Sequence, residues 1–307
     1  MSVEHPIVAV TGSSGAGTTT VREAFEHIFH RLHAEAVYVE GDAFHKFNRD
    51  EMNEAIQRAL VRGENFSHFG PAANHFNKLE ELFKSYSETG GGTYRRYLHT
   101  EDDAVGYGQK SGTFTEWEAL PGDSDILLYE GLHGGIRTDR VDVARYVDLL
   151  VGVVPTLNLE WIQKVRRDTE ERGYKPEDVT ATVLRRMPDY VHYILPQFTH
   201  TDINFQRVPL VDTSNPFIAR DIPAQDESLV VIRFRQPRRL KVDFPYLLTM
   251  LHGSFMTRPN TICVPGGKMR MAMEIILRPI LEQMIEKRRN LIETSARKKT
   301  RGIPRLK

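Results

Sequence analysis

The stretch from Ala9 to Val21, AVTGSSGAGTTTV, has the glycine spacing of a loop that cradles phosphate on backbone N–H groups, with Gly12, Gly15 and Gly17 in place. Ser13, Ser14 and Ala16 fill the cradle between them, and Thr19 stands where a hydroxyl would hold Mg²⁺. Thr18 occupies the position where such loops usually carry a lysine, so the loop is one positive charge short. Two acids offer complementary chemistry. Asp42 and Glu130 each sit at the end of an apolar run, and phosphoryl transfer needs one carboxylate to deprotonate the attacking hydroxyl and others to hold the metal. Asp42 suits the first task and Glu130 the second, although either could simply cap the turn that follows it.

A third constellation lies in WIQKVRRDTEERGY, Trp161 to Tyr174. Lys164, Asp168 and Arg172 are spaced four apart on one helical face, with Arg167 beside them. A solvated helix laced with ion pairs has the same composition. Together with the loop and the two acids, however, these cations can supply the charge that Thr18 lacks, from a helix that closes over the phosphates. His45 and Arg49 follow Asp42, and Arg95-Arg96-Tyr97-Leu98-His99 lies further on. Arginine forks and ring hydrogen bonds of this kind suit an anionic sugar. His133 in EGLHGG either lines the same crevice or braces its own turn.

The elements that must position these residues follow from periodicity. Pro6 to Thr11 reads as a buried strand, and Val21, Ala24, Phe25, Ile28, Phe29 and Leu32 recur on one helical face, so the glycine loop joins a strand to a helix N-terminus. Ala36 to Glu40 predicts a second strand. A helix is expected from an Asn48 cap with Glu51 three residues on, burying Met52, Ile56, Ala59 and Leu60, and another over Phe76 to Tyr86. Asp125 to Gly131 and Asp148 to Val154 are continuous apolar runs, as expected of parallel strands covered on both faces. Pro155-Thr156 opens a long charged helix. Further strands are expected at Val208 to Val211, Leu229 to Phe234 and Thr261 to Val264, with helices around Tyr246 to Leu251 and Met269 to Leu291. Alternation of this kind predicts an α/β fold with a doubly wound, mostly parallel sheet and helices on both faces. In such a sheet the ligand crevice lies beyond the carboxyl ends of the strands, where Asp42 and Glu130 emerge.

The 307 residues are read as one domain with insertions over 1–290, followed by a basic, flexible tail over 291–307. Lys and Arg number 41 against 41 Asp and Glu, so nothing global points to nucleic acid or a membrane. The single cysteine, Cys263, rules out an internal disulfide or a zinc cluster built from thiolates. With neither a secretory pattern nor a membrane-length apolar run, a soluble cytoplasmic protein is expected.

The motifs GSSGAGTTT, EGDAFHKFNR, HFGPAAN, RRYLHT, YEGLHGG, VGVVPTLNLEWIQKVRRDTEERGY, NFQRVPLVDTSNPF and VPGGKM, taken together, resemble the bacterial type of the phosphoribulokinase family from Pro6 to about Arg288. Uridine and pantothenate kinases, which share its P-loop NTPase-type fold, would match the loop and the EG strand end alone. The resemblance implies ATP and Mg²⁺ as requirements, ribulose 5-phosphate as acceptor, and a place in the reductive pentose phosphate route. It makes Asp42 the general base on the C1 hydroxyl. Thr19, Glu130 and Asp168 would hold Mg²⁺, His45, Arg49, Tyr97 and His99 would bind the sugar phosphate, and Lys164, Arg167 and Arg172 would serve the phosphates in transfer. It further implies a homo-oligomer, often an octamer, activated by NADH. A loop without lysine is itself that family's bacterial form. Side-chain chemistry alone leaves open a kinase of another small hydroxyl compound, or an ATP-binding regulatory protein without turnover.

Overall fold

The computed structural model describes residues 2–12, 18–170, 173–219 and 221–301. Strand β1 (Ile7–Gly12) sends Ile7 and Ala9 into one core and Val8 and Val10 into another, which is why the run is apolar throughout. Helix α1 (Thr18–Leu32) packs Val21, Ala24, Phe25 and Ile28 into the same core as Val8. Strand β2 (Ala36–Glu40) runs directly into a 3₁₀ turn, Gly41–Phe44. Helix α2 (Arg49–Val61) begins at a capping box: the Asn48 side chain accepts from the Glu51 amide and the Glu51 carboxylate from the Asn48 amide, each at 2.9 Å. Its buried face is narrower than expected. Met52, Ala55 and Ala59 are buried while Leu60 is 45% exposed, and no residue of α2 belongs to either of the two main cores.

Helix α3 (Phe76–Thr89) buries all five expected apolar positions and ends at Gly90 in the left-handed region. Strand β3 (Thr93–Tyr94), helix α4 (Glu101–Val105) and strand β4 (Glu118–Ala119) form a small excursion in which β3 and β4 pair antiparallel. Strands β5 (Ile126–Gly131) and β6 (Leu149–Pro155) stand where expected. The single charged helix expected after Pro155 is two helices, α5 (Leu157–Glu170) and α6 (Pro176–Asp189), the second opening on a proline. Strand β7 (Ile203–Pro209) lies upstream of the expected Val208 to Val211. Its alternation of buried Ile203 and Phe205 with Asn204 and Gln206 is weak in sequence, and pairing with β6 decides it. Strand β8 (Ser228–Phe234), helix α7 (Phe244–Met250), an unexpected edge strand β9 (Phe255–Arg258), strand β10 (Thr261–Pro265) and helix α8 (Met269–Arg301) complete the described chain. No described helix is long and apolar enough to cross a membrane.

The main sheet has the order β2-β5-β1-β6-β7-β8-β10-β9. From β2 to β7 all neighbours are parallel, whereas β8, β10 and β9 extend the sheet as an antiparallel edge. Helices α1 and α8 cover one face and α3 the other. The chain leaves β1 toward β2 on one side and later crosses to β6 on the other, so a switch point lies at the carboxyl end of β1.

Candidate active site

At that switch point Gly12 ends β1 opposite Val153 of β6, and a Cβ there would lie 2.5 Å from the Val153 carbonyl oxygen. The backbone can leave the sheet there only as glycine. Ser13, Ser14, Gly15, Ala16 and Gly17 lie outside the described residues, as does Arg172. Thr18 and Thr19 open α1, so the positive end of that helix faces the crevice.

Asp42 and Glu130 are brought together by two glycines. A Cβ on Gly41 would fall 2.9 Å from the Gly131 Cα, and one on Gly131 would fall 2.7 Å from the Gly41 Cα. Because both lack side chains, the 3₁₀ turn bearing Asp42 rests directly on the end of β5. The Asp42 carboxylate is 41% exposed, with His45 Nε2 3.8 Å from its Oδ1 and His99 Nε2 3.9 Å from its Oδ2. The two rings are tuned apart. Burial holds His45 below the ordinary imidazole range, whereas the Glu40 carboxylate, 3.7 Å away, raises His99 with help from Asp42. Glu130 lies beside Glu40 on the paired strand, and the Tyr38 hydroxyl donates to its Oε2. Burial raises the Glu130 carboxyl, and Glu40 and Asp42 push it the same way. Glu40, Asp42 and Glu130 concentrate negative charge at this edge, and one or two of them can serve a hard divalent cation whose shell phosphate and water complete. Among the described residues no three His, Cys, Asp or Glu side chains come together closely enough to hold a metal ion by themselves.

The wall opposite is built around Arg49, Tyr97 and His99. Arg49 donates through its backbone to the Gly112 carbonyl at 2.8 Å and through Nη2 to the His99 carbonyl at 2.9 Å. Tyr97 packs edge-on against both His99 and Phe114. Arg95, grouped in sequence with the anion-binding set, has other work: Nε donates to the Ala43 carbonyl at 2.8 Å and Nη2 to the His45 carbonyl at 2.5 Å. Its guanidinium lies 3.6 Å from the Phe114 ring centroid. It therefore braces the turn that carries Asp42. Arg96 bonds the Tyr94 hydroxyl at 3.0 Å, and His133, 3% exposed, bonds the Phe69 carbonyl at 3.0 Å and so braces its turn.

On α5 the described members of the expected face, Lys164, Arg167 and Asp168, come together, Arg172 lying outside the described residues. Lys164 and Arg167 both pair with Asp168, the latter at 3.2 Å, and Asp168 is only 4% exposed. Arg186 of α6 joins them, a residue that sequence reasoning missed because α6 itself was not foreseen. Burial pushes Lys164 down to about 8, assisted by Arg186, and pushes Arg186 down to about 10 against the pull of Asp168 and Glu160. The cluster carries more cation than its carboxylates balance locally, which is the electrostatics of an anion site.

A glycine-ended strand and a helix N-terminus at the switch point, acids at the strand ends and cations on α5 are the parts of a kinase built on the P-loop fold. The chain belongs to the Phosphoribulokinase / Uridine kinase family, which it matches over residues 7–214. It is 59% identical over 290 residues to the chromosomal phosphoribulokinase of Cupriavidus necator, covering 94% of this chain and 99% of that protein. The phosphoribulokinase of Nitrobacter vulgaris is 56% identical over 287 residues, 93% of this chain and 98% of the relative. The solved phosphoribulokinase from Rhodobacter spheroides superposes with a TM-score of 0.87 at 51% identity, over 94% of this chain and all of the other.

Proposed function

We propose that this chain is an ATP-dependent phosphoribulokinase, transferring the γ-phosphoryl group of ATP to the C1 hydroxyl of ribulose 5-phosphate and releasing ribulose 1,5-bisphosphate and ADP in the reductive pentose phosphate route. The observation that carries the reading is Asp42: a half-exposed carboxylate at the carboxyl edge of the sheet, between two histidines. There it is placed to accept the hydroxyl proton as the oxygen attacks. His45, Arg49, Tyr97 and His99 bind the sugar phosphate, which the nearness of His45 and His99 to Asp42, the Tyr97–His99 ring contact and the Arg49 bond to the His99 carbonyl support. Residues 12–19 take the ATP phosphates. Lys164, Arg167 and Arg172 hold charge developing on the transferred group, and Asp168 keeps the first two oriented until substrate arrives.

Thr19, Glu130 and Asp168 are the groups that would hold Mg²⁺, and the clustered acids at Glu130 fit such an ion. When bound, Mg²⁺ neutralises charge on the outer phosphates. We read residues 1–290 as the catalytic domain and 291–307 as a basic segment that takes no part in transfer. The same reading includes a homo-oligomer, as large as an octamer, activated by NADH and residing in the cytoplasm, with no nucleic-acid or membrane partner.

The test is ADP release by the purified protein with Mg-ATP, comparing ribulose 5-phosphate with ribose 5-phosphate, uridine and pantothenate. Release confined to ribulose 5-phosphate is expected; equal or greater release with another acceptor would replace the assignment.

A further inference from the structure

The segment HFGPAAN has no part in the chemistry above, yet it places His68 against the site. The His68 ring lies 4.9 Å, centroid to centroid, from His45, which itself stands 3.8 Å from the Asp42 carboxylate. The charges of Arg186 and Lys164 also act on the ring. His68 is thus linked to Asp42 through the His45 ring and lies within electrostatic reach of the cations of α5 and α6.

The backbone around His68 is held from several directions. Ser67 Oγ donates to Asp189 at 2.6 Å, the Phe69 amide donates to Ser67 Oγ at 3.1 Å, and Asn74 Nδ2 donates to the His68 and Gly70 carbonyls at 2.7 and 2.8 Å. Phe69 is wedged between Tyr190 and the Arg186 guanidinium. The His68 ring, by contrast, makes no hydrogen bond among the described residues, unlike His133 nearby, whose Nε2 bonds the Phe69 carbonyl at 3.0 Å. A half-buried imidazole on a tightly fixed backbone, with both nitrogens unclaimed by the described residues and open to solvent from the site, is arranged for a ligand.

We propose that His68 is a further acceptor-binding residue, its ring nitrogens bonding a C3 or C4 hydroxyl of the sugar phosphate while Asp42 takes the C1 hydroxyl. The inference rests on the kinase reading above. Burial, with His45, Arg186 and Lys164 alongside, keeps the ring well below the ordinary imidazole range, hence neutral. A neutral imidazole offers one donor and one acceptor, matching a hydroxyl, whereas phosphate oxygens only accept.

The test compares wild type, His68→Ala and His68→Phe, the last preserving an aromatic ring against His45, with ribulose 5-phosphate and its 3-deoxy and 4-deoxy analogues. Both variants are expected to raise the KM for ribulose 5-phosphate on the order of tenfold while the KM for ATP stays within about twofold. One deoxy analogue, poor for wild type, is expected to lose nothing further in the variants. Should His68→Ala fail to fold, His68→Phe alone decides. An unchanged acceptor KM, or deoxy analogues losing the same factor in variant and wild type, would overturn the inference and leave the kinase reading standing. Wild type inactive on ribulose 5-phosphate would remove both.

Discussion

Asp42 carries the sharpest consequence for a single side chain. Asp42→Asn keeps the shape of the turn but removes the proton acceptor, so kcat should fall by about 10² to 10⁴ while nucleotide affinity is retained. Steady-state kinetics beside an ATP-binding titration measure both, and near-normal turnover would reject the base. Lys164 sets a pH dependence. Its ordinary value of 10.5 is pushed down to about 8 by burial and Arg186, so its charge is lost as pH rises through about 8. The kcat/KM for ATP should therefore decline on the alkaline side from about pH 8, and Lys164→Arg should move that limb upward because guanidinium does not titrate there. For stability the sign is opposite: between about 8 and 10.5 the unfolded chain binds more protons, so this group favours folding increasingly as pH rises. The acids and the lysine were readable in sequence because strand ends and helical spacing announce them. Arg95 was not: its guanidinium fits an anion site equally well until its bonds to the carbonyls of Ala43 and His45 are known.

Among elements, the contact between the 3₁₀ turn and the end of β5 is the hinge of the site. A Cβ at Gly41 would come within 2.4 Å of the Tyr129 hydroxyl oxygen as well as 2.9 Å of the Gly131 Cα, so the turn must shift to admit it. Gly41→Ala is expected to cost about 1 to 3 kcal/mol, the usual range for overpacking, and to lower kcat beyond what the loss of folded protein explains. Denaturant unfolding and active-site titration separate the two effects. The glycines of EGD and EGL are visible in sequence, but the need for both arises only where two strand ends meet. The capping box at Asn48 was legible because both its bonds lie within four residues. The split into α5 and α6 was missed because charged faces run on through the break.

For the whole molecule, the amino edge of the sheet is closed by α8. Asp125, just before β5, takes Arg288 at 2.6 Å and Arg289 at 3.2 Å, and these arginines also bond the Glu4 and His33 carbonyls. The Asp125 and Arg288 side chains are 13% and 12% exposed, so the pair is largely desolvated. Asp125→Ala leaves two cations without their acid and should lower stability by about 3 kcal/mol, the lower end for breaking a buried pair. Because this clasp sits at the opposite edge from Glu130, KM values for both substrates should be unchanged below the melting transition. A shifted KM would show that the two edges are coupled.

Local patterns in the chain determined the βα alternation, the strands buried on both faces, the helix that opens soon after Gly12, the acids at strand ends and the lysine and arginine of α5, since each expresses a dihedral preference or a burial periodicity within a few residues. Tertiary structure alone decided the strand order, the antiparallel edge of β8, β10 and β9, the bracing by Arg95, the arrival of Arg186 and the unclaimed ring of His68. Each of these depends on which distant groups meet, and a side chain's type limits the partners it can take without saying which of them the fold will bring.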